Sequence, residues 1–282
     1  MSFPRRRESR HQALDLLLQR DDKQTTMIKP KIIVLSGYGL NCEDETKYAF
    51  ELAGGQGQII HINDLIKNKN LLNDFQIMAI PGGFAYGDDT GSGNAYGLKL
   101  RNHLWENISK FVTKDKLVIG ICNGFQVLVN LGLVPALNKK YGERQAALLP
   151  NESTRYTTGW FDLKITSDAP WLTGIKEISL PIAHGEGKFF ASNEILKQIN
   201  NKNLVALKYS NINPTETLEH IAGITDESKR IFGLMPHPER AMFFTQLPNW
   251  PYLKEKYLRS GTKLPEFGPG LQIFKNGVNY FK

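Results

Sequence analysis

The sequence predicts an α/β domain: a mainly parallel central sheet flanked by helices, with antiparallel strands added to it. Three observations predict it. Between Lys31 and Gly132, apolar runs closed by glycine alternate with stretches of helical period, the pattern of parallel βαβ units. After Pro150 the helical stretches give way to five strand-like runs, which suit antiparallel pairing. The chain has 282 residues, enough for one large domain with a full core.

The elements follow in order. "KIIVLSG" (31–37) is a buried strand ended by glycine. "EDETKYAFELAGG" (43–55) is helical, acidic in its first turn and closed by two glycines, as the helix dipole and C-cap geometry favour. "GQIIHIN" (57–63) and "QIMAIPGG" (76–83) are the second and third strands. "YGLKLRNHLWENISKFV" (96–112) has helical period. "KLVIGIC" (116–122) is the fourth strand, and "GFQVLVNLG" (124–132) continues as a helix. Then come strands at 160–166, 178–186, 204–210, 220–226 and 230–236. "QLPNWPYL" (246–253) reads as part of a tail rich in tryptophan and proline, and residues 270–281 as a final helix. No internal repeat is present. Residues 1–26, "MSFPRRRESRHQALDLLLQRDDKQTT", lack the long apolar region and cleavage site of a secretory signal and carry too many acids for a transit peptide. They read as a flexible tail, artefactual in origin, ahead of a folded domain spanning 27–282.

Composition excludes several functions. Lys and Arg number 35 against 28 Asp and Glu, a net charge of +7. The basic residues are scattered and not interleaved with aromatics, so nucleic acid is not an expected partner. No apolar run reaches the roughly 20 residues that span a bilayer, so no membrane partner is expected either. The two cysteines, Cys42 and Cys122, form no CxxC pair and no zinc spacing. The expectation is a reducing cytoplasm, no disulfide, no metal and no cofactor.

Cys122 stands out. "GICNG" (120–124) has the form G-x-C-x-G, the cysteine version of the elbow that lifts a nucleophile out of a strand–helix turn. It aims the N-terminal end of the following helix at the sulfur, an electropositive setting. A thiol nucleophile needs a base, and the base needs an orienter. Of six histidines, His237 fits: it follows a buried strand, Pro236 and Pro238 fix the backbone around it, and Glu239 is two residues on. Attack on a carbonyl also needs donors for an oxyanion. Gly83, in the Pro81–Gly82–Gly83 turn, and Asn123, after the nucleophile, offer backbone N–H groups. Cys42, in "GLNCEDE", lacks glycine framing and reads as a packing residue.

Taken together, "GLNCEDE", "PGGFAYGDD", "GICNGFQVL", "PIAHGEGKFFA", "IAGITD" and "MPHPERA" resemble the class I (triad) glutamine amidotransferases. Within them the likeness is to glutaminase subunits of purine biosynthesis. It spans essentially all of 31–243 and implies one flavodoxin-like domain. It also implies Cys122 as nucleophile, with His237 and Glu239 completing the triad. Gln126 would help hold L-glutamine, and His184 and Glu186 would line the site or its contact with a partner. That partner would be an ATP-using synthetase, joined by a small third subunit. The released ammonia would convert formylglycinamide ribonucleotide to its amidine. Where short bacterial members carry an arginine, this chain has Gly91; before Trp160, where arginine is usual, it has Gly159. These features, and the segment "TQLPNWPYLKEKYL", look more like the glutaminase end of long single-chain synthases. Trp250 in that segment would dock the synthetase. Two other readings stand beside it: a stand-alone cysteine hydrolase of peptidase or deglycase type, which shares the elbow, and a non-catalytic binding subunit that keeps the fold.

Overall fold

The computed structural model describes residues 29–282; the expected tail, 1–26, lies outside the described residues. Eleven strands and seven α-helices are found among those residues. Nine strands form one sheet in the order β2-β1-β3-β4-β11-β10-β9-β6-β7. Its core is parallel: β1 (Lys31–Ser36) pairs with β2 (Gln56–His61) and with β3 (Ile77–Ile80), β3 with β4 (Leu117–Ile121), and β4 with β11 (Ile231–Leu234). β10 (Ile221–Thr225), β9 (Val205–Tyr209), β6 (Thr157–Ile165) and β7 (Glu177–His184) extend it as an antiparallel wing. The sheet is therefore mixed, a parallel core with antiparallel strands added on one side.

β3, β4 and β11 are buried along their whole length. That burial is why they read as continuous apolar runs and not as alternating ones. Strand order reverses between β1 and β3. Right-handed crossovers then place helix α1 (Glu43–Leu52) and helix α3 (Asn94–Val112) on opposite faces. α3 packs beside α4 (Asn123–Leu131). α1 packs beside α7 (Leu271–Asn279), with Phe50 edge-on to Phe274 at 5.0 Å. A sheet of this kind offers a crevice at the carboxyl ends of its strands near the reversal. The turns that follow β1, β3, β4 and β11 all emerge there.

Some elements differ from the sequence reading. The second strand stops at His61, whose imidazole Nδ1 accepts from the Asn63 N–H and starts the short helix α2 (Ile62–Lys67). Two strands of three residues, β5 (Ala147–Leu149) and β8 (Lys188–Phe190), pair apart from the main sheet. Helix α5 (Asn193–Asn201) was not expected, although Ser192 caps it by accepting from the Ile195 N–H. "QLPNWPYL" is not an irregular tail. It leads into helix α6 (Trp250–Arg259), with Pro251 in the first turn, where a missing N–H costs nothing.

Candidate active site

The site assembles at the crevice. β4 ends at Ile121, and Cys122 turns directly into α4 with φ 51° and ψ −107°. That backbone is strained for a residue with a Cβ, and strain of this kind marks functional turns. Both neighbouring glycines are required by space. A Cβ on Gly124 would lie 1.9 Å from the Ile80 carbonyl oxygen, and one on Gly120 would lie 2.6 Å from the Gly124 oxygen. The elbow thus packs straight onto the end of β3.

β11 delivers His237 beside it. The His237 N–H donates to the Pro181 carbonyl at 2.8 Å. The antiparallel wing therefore curls back, and its last strand, β7, returns to the carboxyl end of the parallel core. β7 also reaches the elbow: the Cys122 thiol points to the Ala183 carbonyl at 3.8 Å. His237 Nδ1 and Glu239 Oε1 are 2.5 Å apart, and both side chains are buried. Nδ1 therefore carries its proton toward the carboxylate, and Nε2, which has no hydrogen-bond partner among the described residues, is the free nitrogen. Burial opposes charge on the imidazole. The Glu239 carboxylate and the Cys122 sulfur outweigh it, and the pKa of His237 lies well above the usual histidine range.

The Gly83 and Asn123 N–H groups donate to no group among the described residues. Gly83 has φ 151°, and a Cβ there would meet the Gly39 oxygen at 2.5 Å, so the turn that frees its N–H admits only glycine. An antiparallel bridge between Leu40 and Gly83 fixes it.

A family model described as a CobB/CobQ-like glutamine amidotransferase domain matches residues 29–281. The PurQ subunit of phosphoribosylformylglycinamidine synthase from Methanococcus maripaludis is 44% identical over 270 residues, covering 90% of this chain and 99% of that protein. The chain belongs to the PurQ family of glutamine amidotransferases. The PurQ subunit of Dehalococcoides mccartyi is 42% identical over 262 residues, 90% of this chain and 98% of that one. Among solved structures, PurLQS from Thermotoga maritima contains a chain that matches with a TM-score of 0.69 and 29% identity, covering 90% of this chain and all of that one.

In this PurQ-family chain the other expected residues form one network. Asn123 Nδ2 donates to Gln126 Oε1 at 2.8 Å and to Asp88 Oδ1 at 3.1 Å, and Asn123 Oδ1 accepts from the Ala85 N–H. Gln126 Nε2 donates to the Glu186 carbonyl at 2.6 Å. Glu186 Oε2 accepts from the Ser92 N–H at 3.0 Å. Gln126 and Glu186 thus tie the "AHGEG" turn to the elbow helix and to the segment after Gly83. Burial pushes the Asp88 carboxyl up, and the Glu186 charge adds to it. His184 is further inside. Its ring is buried, Nδ1 meets Asn151 Oδ1 at 3.2 Å, and burial and then the charge of His237 lower its pKa to about 3. It is a neutral, fixed ring under Gly187.

Sequence reasoning missed Asn151, Tyr156, Phe84 and Arg240 here, and read Cys42 as a packing residue. Asn151 is buried and makes five side-chain hydrogen bonds, with Arg155, Thr157, His184 twice, and Gly187. Tyr156 lies beside Cys122: its hydroxyl donates at 2.8 Å to the same Ala183 carbonyl that faces Cys122, and its exposed ring lies 6.0 Å from that of Phe84. The two aromatics rim the mouth of the site. Cys42 is not simple packing. Its sulfur, a His237 ring nitrogen and a Glu239 oxygen lie within 4.8 Å of one another, and Arg240 Nη2 donates to that sulfur at 3.1 Å. Three such donors could hold a metal ion in principle, but the Arg240 cation on the sulfur opposes one. Nothing local in the sequence singled out Asn151 or linked Cys42 to Arg240.

Proposed function

We propose that this chain is the glutaminase subunit of phosphoribosylformylglycinamidine synthase. It hydrolyses the side-chain amide of L-glutamine and passes ammonia to a separate ATP-using synthetase, which converts formylglycinamide ribonucleotide to formylglycinamidine ribonucleotide. The observation that carries the reading is Cys122 on its strained elbow, beside a His237 whose Nδ1 is held by Glu239. Identity of 44% across almost the whole of a PurQ relative supports it. The residue roles are the same proposal.

Glutamine enters past Phe84 and Tyr156, with its amide carbonyl oxygen toward the Gly83 and Asn123 N–H groups. The Cys122 thiolate attacks the amide carbon, and the two N–H groups hold the oxyanion. His237 Nε2–H protonates the amide nitrogen, the C–N bond breaks, and ammonia leaves a thioester on Cys122. Neutral His237 then takes a proton from water. The hydroxide adds to the thioester, glutamate departs, and the thiolate–imidazolium pair is restored. Glu239 stabilises the imidazolium in both halves. Gln126 and Glu186 shape the wall against which the substrate lies, and His184 sits behind it.

The partners on this reading are the synthetase and a small third subunit; the Thermotoga maritima relative is part of a PurLQS assembly. We place the chain in the cytoplasm. No helix among the described residues is long and apolar enough to cross a membrane. The test is glutamine-dependent ammonia release by the chain alone and with its co-purified synthetase, expected to be higher in the complex. No glutaminase activity in either would overturn the reading.

Helix α6 is the surface we assign to the synthetase contact. None of its residues is buried, Tyr252 is 70% exposed, and only Tyr257, edge-on to Phe244 at 5.9 Å, anchors its inner face through an aromatic pair. Trp250, half-buried at its start, has the size and amphipathic ring favoured at interface hot spots. Trp250→Ala should weaken complex formation in a pull-down while the isolated chain's unfolding midpoint stays nearly constant. A lower midpoint with binding intact would show that Trp250 only covers the domain's own core.

A further inference from the structure

Cys42 is fully buried, and its backbone is pinned from both sides. Its N–H and that of Asn41 donate to the Gly82 carbonyl at 3.2 and 3.1 Å, and its own carbonyl accepts from Thr46 Oγ1 at 2.6 Å. The sulfur is thereby fixed to the same strand end that supplies Gly83. A Cβ built on Gly82 would lie 2.8 Å from His237 Cε1 and 3.3 Å from the Cys42 sulfur, so ring and sulfur crowd the same spot.

The charges around that spot are unevenly matched. Arg240 follows Glu239 directly, yet its guanidinium pairs with no carboxylate among the described residues; it donates to the Cys42 sulfur. Glu239 Oε2 is buried and has no hydrogen-bond partner among the described residues. A guanidinium and a free carboxylate oxygen one residue apart attract strongly, because arginine–carboxylate bonds are among the strongest in proteins. If Arg240 took that oxygen, it would compete with the imidazolium for the same negative charge.

We propose that Cys42 is a positioning residue for the glutaminase centre: its sulfur holds the Arg240 guanidinium beside the Glu239 carboxylate and not on it, which leaves Glu239 committed to His237. This rests on the glutaminase reading above. Cys42 touches no reacting atom. It acts on the imidazole through Arg240 and Glu239, and its sulfur also lies close to the ring. The groups that face His237 are Glu239 and Arg240 from its own turn, Cys122 from the elbow, Cys42 from the start of α1, His184 from β7 and Tyr156 from the turn before β6. Of these, Glu239 and the two sulfurs favour the imidazolium. Losing Cys42 removes one of them and frees Arg240 toward another, and both changes make the imidazolium give up its proton at lower pH.

The test uses the assembled synthase with Cys42→Ala, which removes the acceptor, and Cys42→Ser, which keeps one. Ammonia-dependent synthesis serves as the control for folding and assembly. Cys42→Ala should lower glutamine-dependent kcat roughly tenfold to a hundredfold, within the range that a positioned acid–base group contributes. KM for glutamine should stay within about twofold, because the group acts on the base and not on bound substrate. The alkaline limb of the kcat/KM profile should move down by about one pH unit, as expected when a nearby cation shifts. Cys42→Ser should restore the wild-type profile and most of kcat. Wild-type kcat and profile in Cys42→Ala would overturn the proposal. So would a Cys42→Ser complex as slow as Cys42→Ala with an unmoved profile, which is the signature of packing alone. The underlying reading fails separately: a Cys122→Ala complex that still uses glutamine would sink it whatever Cys42 does.

Discussion

Cys122→Ala abolishes glutamine-dependent synthesis in the assembled enzyme and leaves ammonia-dependent synthesis intact: this is the expected result of removing the one group assigned to covalent chemistry. A methyl cannot attack a carbonyl, and removal of one member of a catalytic unit typically costs about a thousandfold or more in rate. At three orders of magnitude that is about 4 kcal/mol of lost transition-state stabilisation. The fold should survive. Alanine has the same Cβ as cysteine, so the crowded elbow between Gly120 and Gly124 sees no new atom, and the one hydrogen-bond contact that the sulfur loses is a long one, 3.8 Å, to the Ala183 carbonyl. The synthetase site contains no residue of this chain in the proposed scheme, so free ammonia should still be used. Measurement of product from glutamine and from ammonium salt on the same preparation decides it. Glutamine use at a wild-type rate would remove Cys122 from the chemistry. Loss of both activities would show that this subunit also shapes the synthetase site.

What the sequence made legible here is what backbone punctuation encodes. Glycines two before and two after Cys122 pointed to a tight turn, and the turn is there because the elbow packs on the Ile80 carbonyl. Prolines on both sides of His237 pointed to a fixed imidazole, and Glu239 is held to it at 2.5 Å. The parallel core was legible because fully buried strands read as unbroken apolar runs. What stayed hidden depends on closure of the wing. The Cys42–Arg240 contact joins residues 198 apart. Tyr156 reaches Cys122 only because β7 curls back to the parallel core. β5 and β8 are three residues each, too short for any period to show. Helix α6 read as a tail rich in tryptophan and proline, because none of its residues is buried and so no apolar stripe marks it, whereas Pro251 stands in its first turn as a helix start. Gln126 and Glu186 were singled out for substrate, and their side chains also carry the bonds that join the "AHGEG" turn to the elbow helix and the segment after Gly83.

Glu239→Gln should separate activity from stability, and the two effects should differ in size. Glutamine keeps the shape of the side chain and an oxygen that can accept from His237 Nδ1–H, but it removes the negative charge. The imidazolium loses its main electrostatic partner, and the amide end can also turn its donor toward Nδ1 and select the wrong tautomer. Such a change in a comparable triad costs about four orders of magnitude in kcat, so a fall of roughly a hundredfold to ten-thousandfold is expected. The pH dependence should move as well. Glu239 raises the pKa of His237, so without it the imidazolium is lost at lower pH and the alkaline limb of the glutaminase profile shifts down. Stability should not follow activity. The Glu239 side chain is fully buried, and one of its oxygens has no hydrogen-bond partner among the described residues. A neutral amide of the same shape relieves the cost of burying a charge, but it also breaks the buried pair with His237 and leaves the imidazolium uncompensated until the ring gives up its proton. The two effects oppose each other, so the thermal midpoint of the variant should move by only a few degrees while turnover collapses. A loss of turnover below tenfold would remove Glu239 from the orienting role. A fall in midpoint that tracked the fall in activity would show instead that the carboxylate holds the β11 turn together and acts on catalysis only through it.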